Sequence, residues 1–329
     1  MRFSASSELF YWSTSASCAF PAGGLANLAT IFHSQPYTSS GINLRRFFFM
    51  NHKLIIFIAV LALAAMACGI SVPEAPTPSP EVTEEINVEY PDSEEIDLAL
   101  KFGAGNLTLN PGADALVDGT ATYNYDELKP EVITNGGDVE VRVGDGDFNI
   151  FPNLNNLKNE WDLKLGDQPM NLSIDSGAYD GIFEFGGLSL TRLDIKDGAS
   201  NVELSFSEPN PVEMSTFTYN TGASDVKILG LGNANFTLFD FSSGAGDYTL
   251  DFSGDLRRDA SIKIETGFSN LIIIVSEGVD AVVSVQGGLS NVNATTGWER
   301  SGDDYVQKGE GPTLTFVIEM GAGNLTLAR

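Results

Sequence analysis

The chain has 329 residues and a formal charge of −26, from 44 acidic and 18 basic residues, with two histidines and two cysteines. That balance argues against nucleic acid and anionic lipid head groups as partners, because both are bound through Lys and Arg. Its length admits one large domain or two smaller ones.

Residues 1–49 carry no helical or strand periodicity and run through Arg45-Arg46-Phe47-Phe48-Phe49 into Met50. They read as a mis-assigned start or a disordered segment, with an unusually long n-region as the alternative. Residues 50–67 read as a signal peptide. Lys53 precedes the 14-residue apolar run Leu54–Ala67 (LIIFIAVLALAAMA), which is shorter than the roughly 18 residues expected of a membrane-spanning helix. Ala65-Met66-Ala67-Cys68 resembles a bacterial lipobox, in which Cys68 becomes the lipidated first residue of the mature chain; Leu is more usual where Ala65 stands. An ordinary signal peptide or a short membrane anchor is the other reading. Residues 68–95 form a Pro- and Glu-rich tether (SVPEAPTPSPEVTE from Ser71), too poor in large apolar side chains to bury a core.

Removal of residues 1–67 leaves 14 basic and 43 acidic residues, a formal −29, and takes away His33, His52 and Cys18. The mature chain then has no histidine and no free cysteine. Ser-His-Asp triads, Cys-His nucleophiles and His-ligated zinc are thereby excluded.

From Ile96 onward the apolar and polar residues alternate, the period of half-buried strands. The heptapeptide GAGNLTL occurs at Gly103–Leu109 and again at Gly321–Leu327. Between them lie the variants GDGDFNI, GAYDGIF, GASNVEL, GASDVKI, GAGDYTL, GFSNLII and GLSNVNA, and the steps from Gly177 to Gly288 are 21, 24, 22, 23 and 21 residues. Each unit reads as strand, glycine turn, strand. A meander of hairpins would place the glycine at alternate ends of a sheet. A β-solenoid would place it at one corner of every coil. The regular period favours the second. The expected fold is all-β: a single-stranded, β-helix-like solenoid of about 21–24 residues per coil with very little helix. Residues 96–145 form its N-terminal part and residues 146–329 its repetitive part.

The fourth motif position is Asn106, Asp147, Asp180, Asn201, Asp225, Asp247, Asn270, Asn291 and Asn324. Asx residues suit a left-handed corner and hydrogen-bond their own main chain, and stacked coils also allow side-chain ladders. A calcium roll would require Gly-Gly-x-Gly-x-Asp repeats, which are absent. Leu107, Leu109, Val202, Leu204, Val226, Ile228, Tyr248, Leu250, Leu271 and Ile273 are the expected core. Leu271–Val275 is apolar on both faces, which predicts a further layer over that strand.

Catalytic candidates are limited to carboxylates: Asp145 with Asp147, Asp303 with Asp304, and Asp255, Arg257, Arg258, Asp259. Each also fits a solvated loop. Trp161 and Trp298 are either sugar platforms or large rings closing the core.

Gly119–Val132 (GTATYNYDELKPEV) and Asn159-Glu160-Trp161-Asp162-Leu163 resemble the toast-rack family of bacterial envelope proteins. The repeats are similar to related adhesin-like solenoids and to the C-terminal region of an antibiotic-response membrane protein. The resemblance implies a stacked all-β fold at the cell surface without known catalysis, and brings neither catalytic residues nor a cofactor or metal. The lipobox stands where the antibiotic-response protein has several membrane helices, against a direct signalling role. The sequence thus points to an extracytoplasmic lipoprotein, anchored to a bacterial membrane through Cys68, acting as an adhesin-like binder of envelope protein or polysaccharide or as an envelope scaffold. A carbohydrate-active β-helix enzyme and an envelope-stress sensor are the alternatives.

Overall fold

The computed structural model describes residues 78–144 and 156–329. Residues 72–329 form one compact unit with its own core. The described strands are β1 (Val82–Val88), β2 (Asp97–Pro111), β3 (Val117–Tyr123), β4 (Pro130–Asn135), β5 (Asp138–Val143), β6 (Asn159–Leu165), β7 (Met170–Glu184) and β8 (Leu190–Lys196). They continue with β9 (Ala199–Ser205), β10 (Met214–Leu229), β11 (Phe236–Asp251), β12 (Ala260–Ile274), β13 (Asp280–Ala294), β14 (Glu299–Ser301), β15 (Asp304–Gln307) and β16 (Thr313–Ala328). Among the described residues helix is confined to short 3-10 turns such as Asp126–Leu128 and Leu231–Ala234. The fold is all-β, as the alternating pattern requires.

Each long strand is two arms joined at a motif glycine. In β12 burial alternates up to Thr266, two consecutive residues are exposed at Gly267 and Phe268, and alternation then resumes in phase with the core. The glycine is the extra residue. Thr266 pairs with Met320 and Phe268 with Ala322, so Gly267 faces Gly321 and both strands carry the extra residue at the same place. One inserted residue bends the strand as a bulge does and keeps both arms apolar-in. The expected strand–turn–strand unit is therefore one continuous, bent strand.

Neighbouring strands pair in parallel and in register. Val226 of β10 lies beside Tyr248 of β11, Tyr248 beside Leu271 of β12, and Leu271 beside Leu325 of β16. The ten residues expected in the core are all buried. Between the arms runs a file of rings in which Phe185–Phe206, Phe206–Phe217, Phe217–Phe239, Phe239–Phe252 and Phe252–Phe316 have centroids 4.7–6.3 Å apart. Burial of such side chains contributes about 1.5–3 kcal/mol each and is the dominant stabilising term.

The structure departs from the sequence expectation at several places. The tether of residues 68–95 contains β1, which pairs antiparallel with β3 because Ile86 and Val88 alternate with the exposed Glu85 and Asn87 and reach the core. Residues 96–145 are not uniform repeats: β3 pairs antiparallel with β6 and β4 forms a hairpin with β5, so this end is closed by antiparallel pairs. At the other end β16 inserts between β12 and β13, making β13 the outer long strand. No further layer covers Leu271–Val275, since Ile272 is 38% exposed. Among the described residues, no helix is long and apolar enough to cross a membrane.

Candidate binding face at the glycine corner

The corner owes its residue types to how closely the strands approach there. A Cβ built on Gly198 would lie 2.8 Å from the carbonyl oxygen of Gly177, on Gly222 2.4 Å from that of Gly198, and on Gly244 2.5 Å from that of Gly222. The series continues at 2.5 Å for Gly267 on Gly244 and for Gly321 on Gly267. These five glycines lack a positive φ. Glycine is required here because backbone meets backbone, not because the turn is left-handed.

One residue further on stands a row of small apolar side chains: Ala104, Ala178, Ala199, Ala223, Ala245 and Ala322, interrupted by Phe268. Phe268 is 70% exposed, the most exposed large hydrophobic residue described.

Beside that row run the Asx residues, and register places Asn106, Asp180, Asn201, Asp225, Asp247, Asn270, Asn324 and Asn291 next to one another in that order. All are exposed. Their side chains are linked: Asn270 Nδ2 donates to Asp247 Oδ1 at 2.7 Å, and Asn324 Nδ2 to Asn270 Oδ1 at 2.8 Å. The Asp247 N–H donates to Asp225 Oδ1 at 3.3 Å. The expectation of a left-handed Asx corner is overturned, because Asn235, outside this row, is the non-glycine residue with positive φ among those described. The strands hold extended backbone through the row, so the side chains bond across strands instead of to their own main chain. A shallow cleft of about 510 Å3 follows both rows at one end, lined by Ala104, Asn106, Ala178, Asp180, Ala199 and Asn201.

Beneath the corner lies a polar network that the sequence reading missed. Asp197, at the break between β8 and β9, accepts from Tyr219 Oη at 2.9 Å and Tyr179 Oη at 3.3 Å, and from the Thr221 hydroxyl. Thr221 and Ser224 hydroxyls lie 2.5 Å apart. Burial, with the Asp197 charge beside them, holds both tyrosines well above their usual titration range. The pattern signal was the polar or hydroxyl residue preceding five of the corner glycines, Gly177 to Gly267 (Ser176, Asp197, Thr221, Ser243, Thr266).

The other candidates are dispersed. Asp255 accepts from Arg257 Nε at 3.1 Å, Arg258 bonds Asn235 Oδ1 and Glu213, and Asp259 accepts the Thr313 N–H, so all four residues tie loops together. Asp304 accepts from Ser284 in the β14–β15 hairpin. Trp161 is 1% exposed inside the core, and Trp298 donates to the Ala328 carbonyl. Neither presents a ring face to solvent. Asp145, Asp147 and Cys68 lie outside the described residues. Among the described residues no group of three or more His, Cys, Asp or Glu side chains could hold a metal.

Residues 77–229 match the family described as the N-terminal domain of toast_rack, DUF2154. Over these residues the chain is similar to the toast-rack family. The toast-rack segment thus runs from β1 to the last residue of β10, and β11, β12, β16 and β13 extend its stack. No curated protein matches the chain in sequence. Among solved structures, a candidate cell-adhesion protein of Clostridium sporogenes is similar at 20% identity over 77% of this chain and 99% of its own, with a TM-score of 0.42. A candidate adhesin of Bacteroides fragilis is similar at 11% identity over 78% and 100%, with a TM-score of 0.38. A candidate lipid-binding protein of Parabacteroides distasonis is similar at 11% identity over 74% and 96%, with a TM-score of 0.32.

Proposed function

We propose that this chain is a non-catalytic, adhesin-like envelope protein, a β-solenoid held outside a bacterial membrane by a lipid on Cys68, which binds a repeating envelope polysaccharide along its glycine corner. The observation that supports this is the pairing of two rows at strand spacing, about 4.8 Å per step: exposed or half-buried alanine methyls with the exposed Phe268, and exposed, hydrogen-bonding Asn and Asp. A sugar ring has an apolar C–H face and a hydroxyl edge, and the two rows match these in chemistry and in repetition. Asp180, Asp225 and Asp247 make the face negative, which favours a neutral or amine-bearing polymer over an acidic one. The dispersal of the candidate carboxylates and the parallel stacking of β7 to β13 support the non-catalytic, solenoidal reading.

Co-sedimentation of residues 72–329 with insoluble neutral or partly deacetylated bacterial glycan tests the binding. Retention is expected, weakened about tenfold by Phe268→Ala, a loss of about 1.4 kcal/mol. Absence of retention, or release of soluble sugar, overturns the reading. Anchoring is tested separately in cells: Cys68→Ser should move the protein from the membrane fraction to the soluble one, and an unchanged fraction would refute lipidation.

A further inference from the structure

The sheet has four outer edges among the described residues, and three carry features that block further pairing. β1 carries Glu84 and Glu85, β4 begins with Pro130-Glu131, and β14 is 3 residues long with Glu299 and Arg300. Charge, proline and shortness are the usual means by which edge strands avoid each other. The fourth edge has none of them. The first arm of β13 is covered by β15 from Ala281 to Ser284, but its second arm, Gly287 to Ala294, pairs with β16 on one side only. From Gly287 to Trp298 (GGLSNVNATTGW) there is no proline and no charge, in a chain of formal charge −26.

The core is also unfinished there. Val285, Val292 and Ala294 of β13 are half-buried, whereas their register partners Ile318, Leu325 and Leu327 in β16 are fully buried. The opposite end of the stack is closed by β6 and β3, where Trp161, Leu163 and Ala121 are buried.

We propose that the second arm of β13 is a self-association edge, pairing antiparallel with the same segment of a second copy about a two-fold axis. Every second residue of this arm turns its N–H and C=O away from β16, so the groups that join the internal strands are free to continue the sheet. A two-fold contact is self-complementary, so one segment supplies both halves. The neutral segment brings two acidic molecules together without opposing like charges at the seam. The partner strand covers Val292 and Ala294 as β16 covers the side chains of β12.

Sedimentation velocity of residues 72–329 from 1 to about 200 μM is the test, with circular dichroism confirming the fold of each variant. The expected result is a concentration-dependent dimer. Asn291→Asp with Asn293→Asp adds exposed charge to both sides of the seam, where like charges face each other, and should raise the dimer Kd at least tenfold. Asn293→Cys, in a segment that otherwise lacks cysteine, should give a covalent dimer with a short bismaleimide. A monomer throughout overturns the proposal. So does a dimer whose Kd ignores the double substitution and whose Asn293→Cys form does not cross-link.

Discussion

Gly244→Ala tests whether the corner is a backbone contact. The new Cβ would lie 2.5 Å from the Gly222 carbonyl oxygen, against about 3.4 Å for ordinary contact, so β10 and β11 must part by about 0.9 Å. Strands about 4.8 Å apart cannot do so without stretching the ladder bonds on both sides of the corner. Two such bonds weakened at about 1 kcal/mol each give about 2 kcal/mol, within the 1–3 kcal/mol typical of overpacking. The reduced entropy of the unfolded chain returns about 0.5 kcal/mol, leaving a net loss of about 1.5 kcal/mol and a Tm lower by about 3–6 °C for a unit of this size. Urea unfolding of residues 72–329 measures it directly. Two controls sharpen the result. Gly288→Ala on the outer long strand, with its Cβ 3.0 Å from the Gly321 oxygen, should cost less than about 0.5 kcal/mol. Gly244→Asn should be at least as damaging as Ala, because asparagine's tolerance of a left-handed backbone has no use where φ is not positive. A neutral Gly244→Ala, or an asparagine milder than alanine, would refute the close-approach account.

Three further outcomes follow from the site. Asn270→Asp places a third carboxylate in line with Asp247 and Asp225 and removes the 2.7 Å bond to Asp247. It should cost about 1 kcal/mol at pH 7 and less below about pH 4, where carboxylates protonate, as read from urea midpoints at both pH values. Tyr179 and Tyr219, raised above their usual range by burial and by Asp197, give stability that is complete below about pH 10, where unfolded tyrosine titrates, and is lost as pH rises further. Absorbance at about 295 nm should show them ionising together with unfolding, and Tyr219→Phe should flatten the alkaline decline. Burial raises the Glu184 pKa, but donors Ser205, Ser207 and Gly186 outweigh it and leave the carboxyl below its usual value. Its contribution is therefore present above the unfolded pKa near 4.5 and lost as pH falls through the lower folded value. Glu184→Gln should remove that part of the acid dependence.

The ten core positions could be read from the sequence because each arm keeps strict alternation, and alternation states which face is buried whatever the neighbouring strand may be. The corner residues were also visible, but their cause was not. A Gly-small-small-Asx run looks the same whether the glycine relieves φ or backbone crowding; the difference is the 2.5 Å approach of a carbonyl from a strand 22 residues away. Strand order was hidden for a related reason. The register of Asn270 with Asn324 spans 54 residues, and nothing local in GFSNLII says that its neighbour is the last repeat and not the next one. The Asp197 network depends on Tyr179 and Tyr219 arriving from β7 and β10, so the strand pairing had to be known first. β1 escaped notice because Glu84 and Glu85 dominate its composition while Ile86 and Val88 alone reach the core.

The identical heptapeptides at Gly103 and Gly321 differ at their first glycine, since Gly103 holds φ 85° and Gly321 has no positive φ. They do not mark the two ends of the stack: β2 lies between β6 and β7, and β16 between β12 and β13. What they share is the third residue. A Cβ on Gly105 would fall 2.0 Å from the Asn159 carbonyl oxygen, and one on Gly323 1.8 Å from that of Ser269. Gly246, third residue of GAGDYTL, meets the Ser224 oxygen at 1.8 Å in the same way. Along the stack the third position reads Gly105, Tyr179, Ser200, Ser224, Gly246, Ser269, Gly323, Ser290. Gly246 and Gly323 stand where a serine carbonyl of the neighbouring strand leaves no room for a side chain and where φ is positive, 152° and 139°, whereas Ser224 keeps its side chain beside Ser200. Two strands placed alike between parallel neighbours thus converge on one heptapeptide, and the repetition reports local packing, whatever the order of the strands.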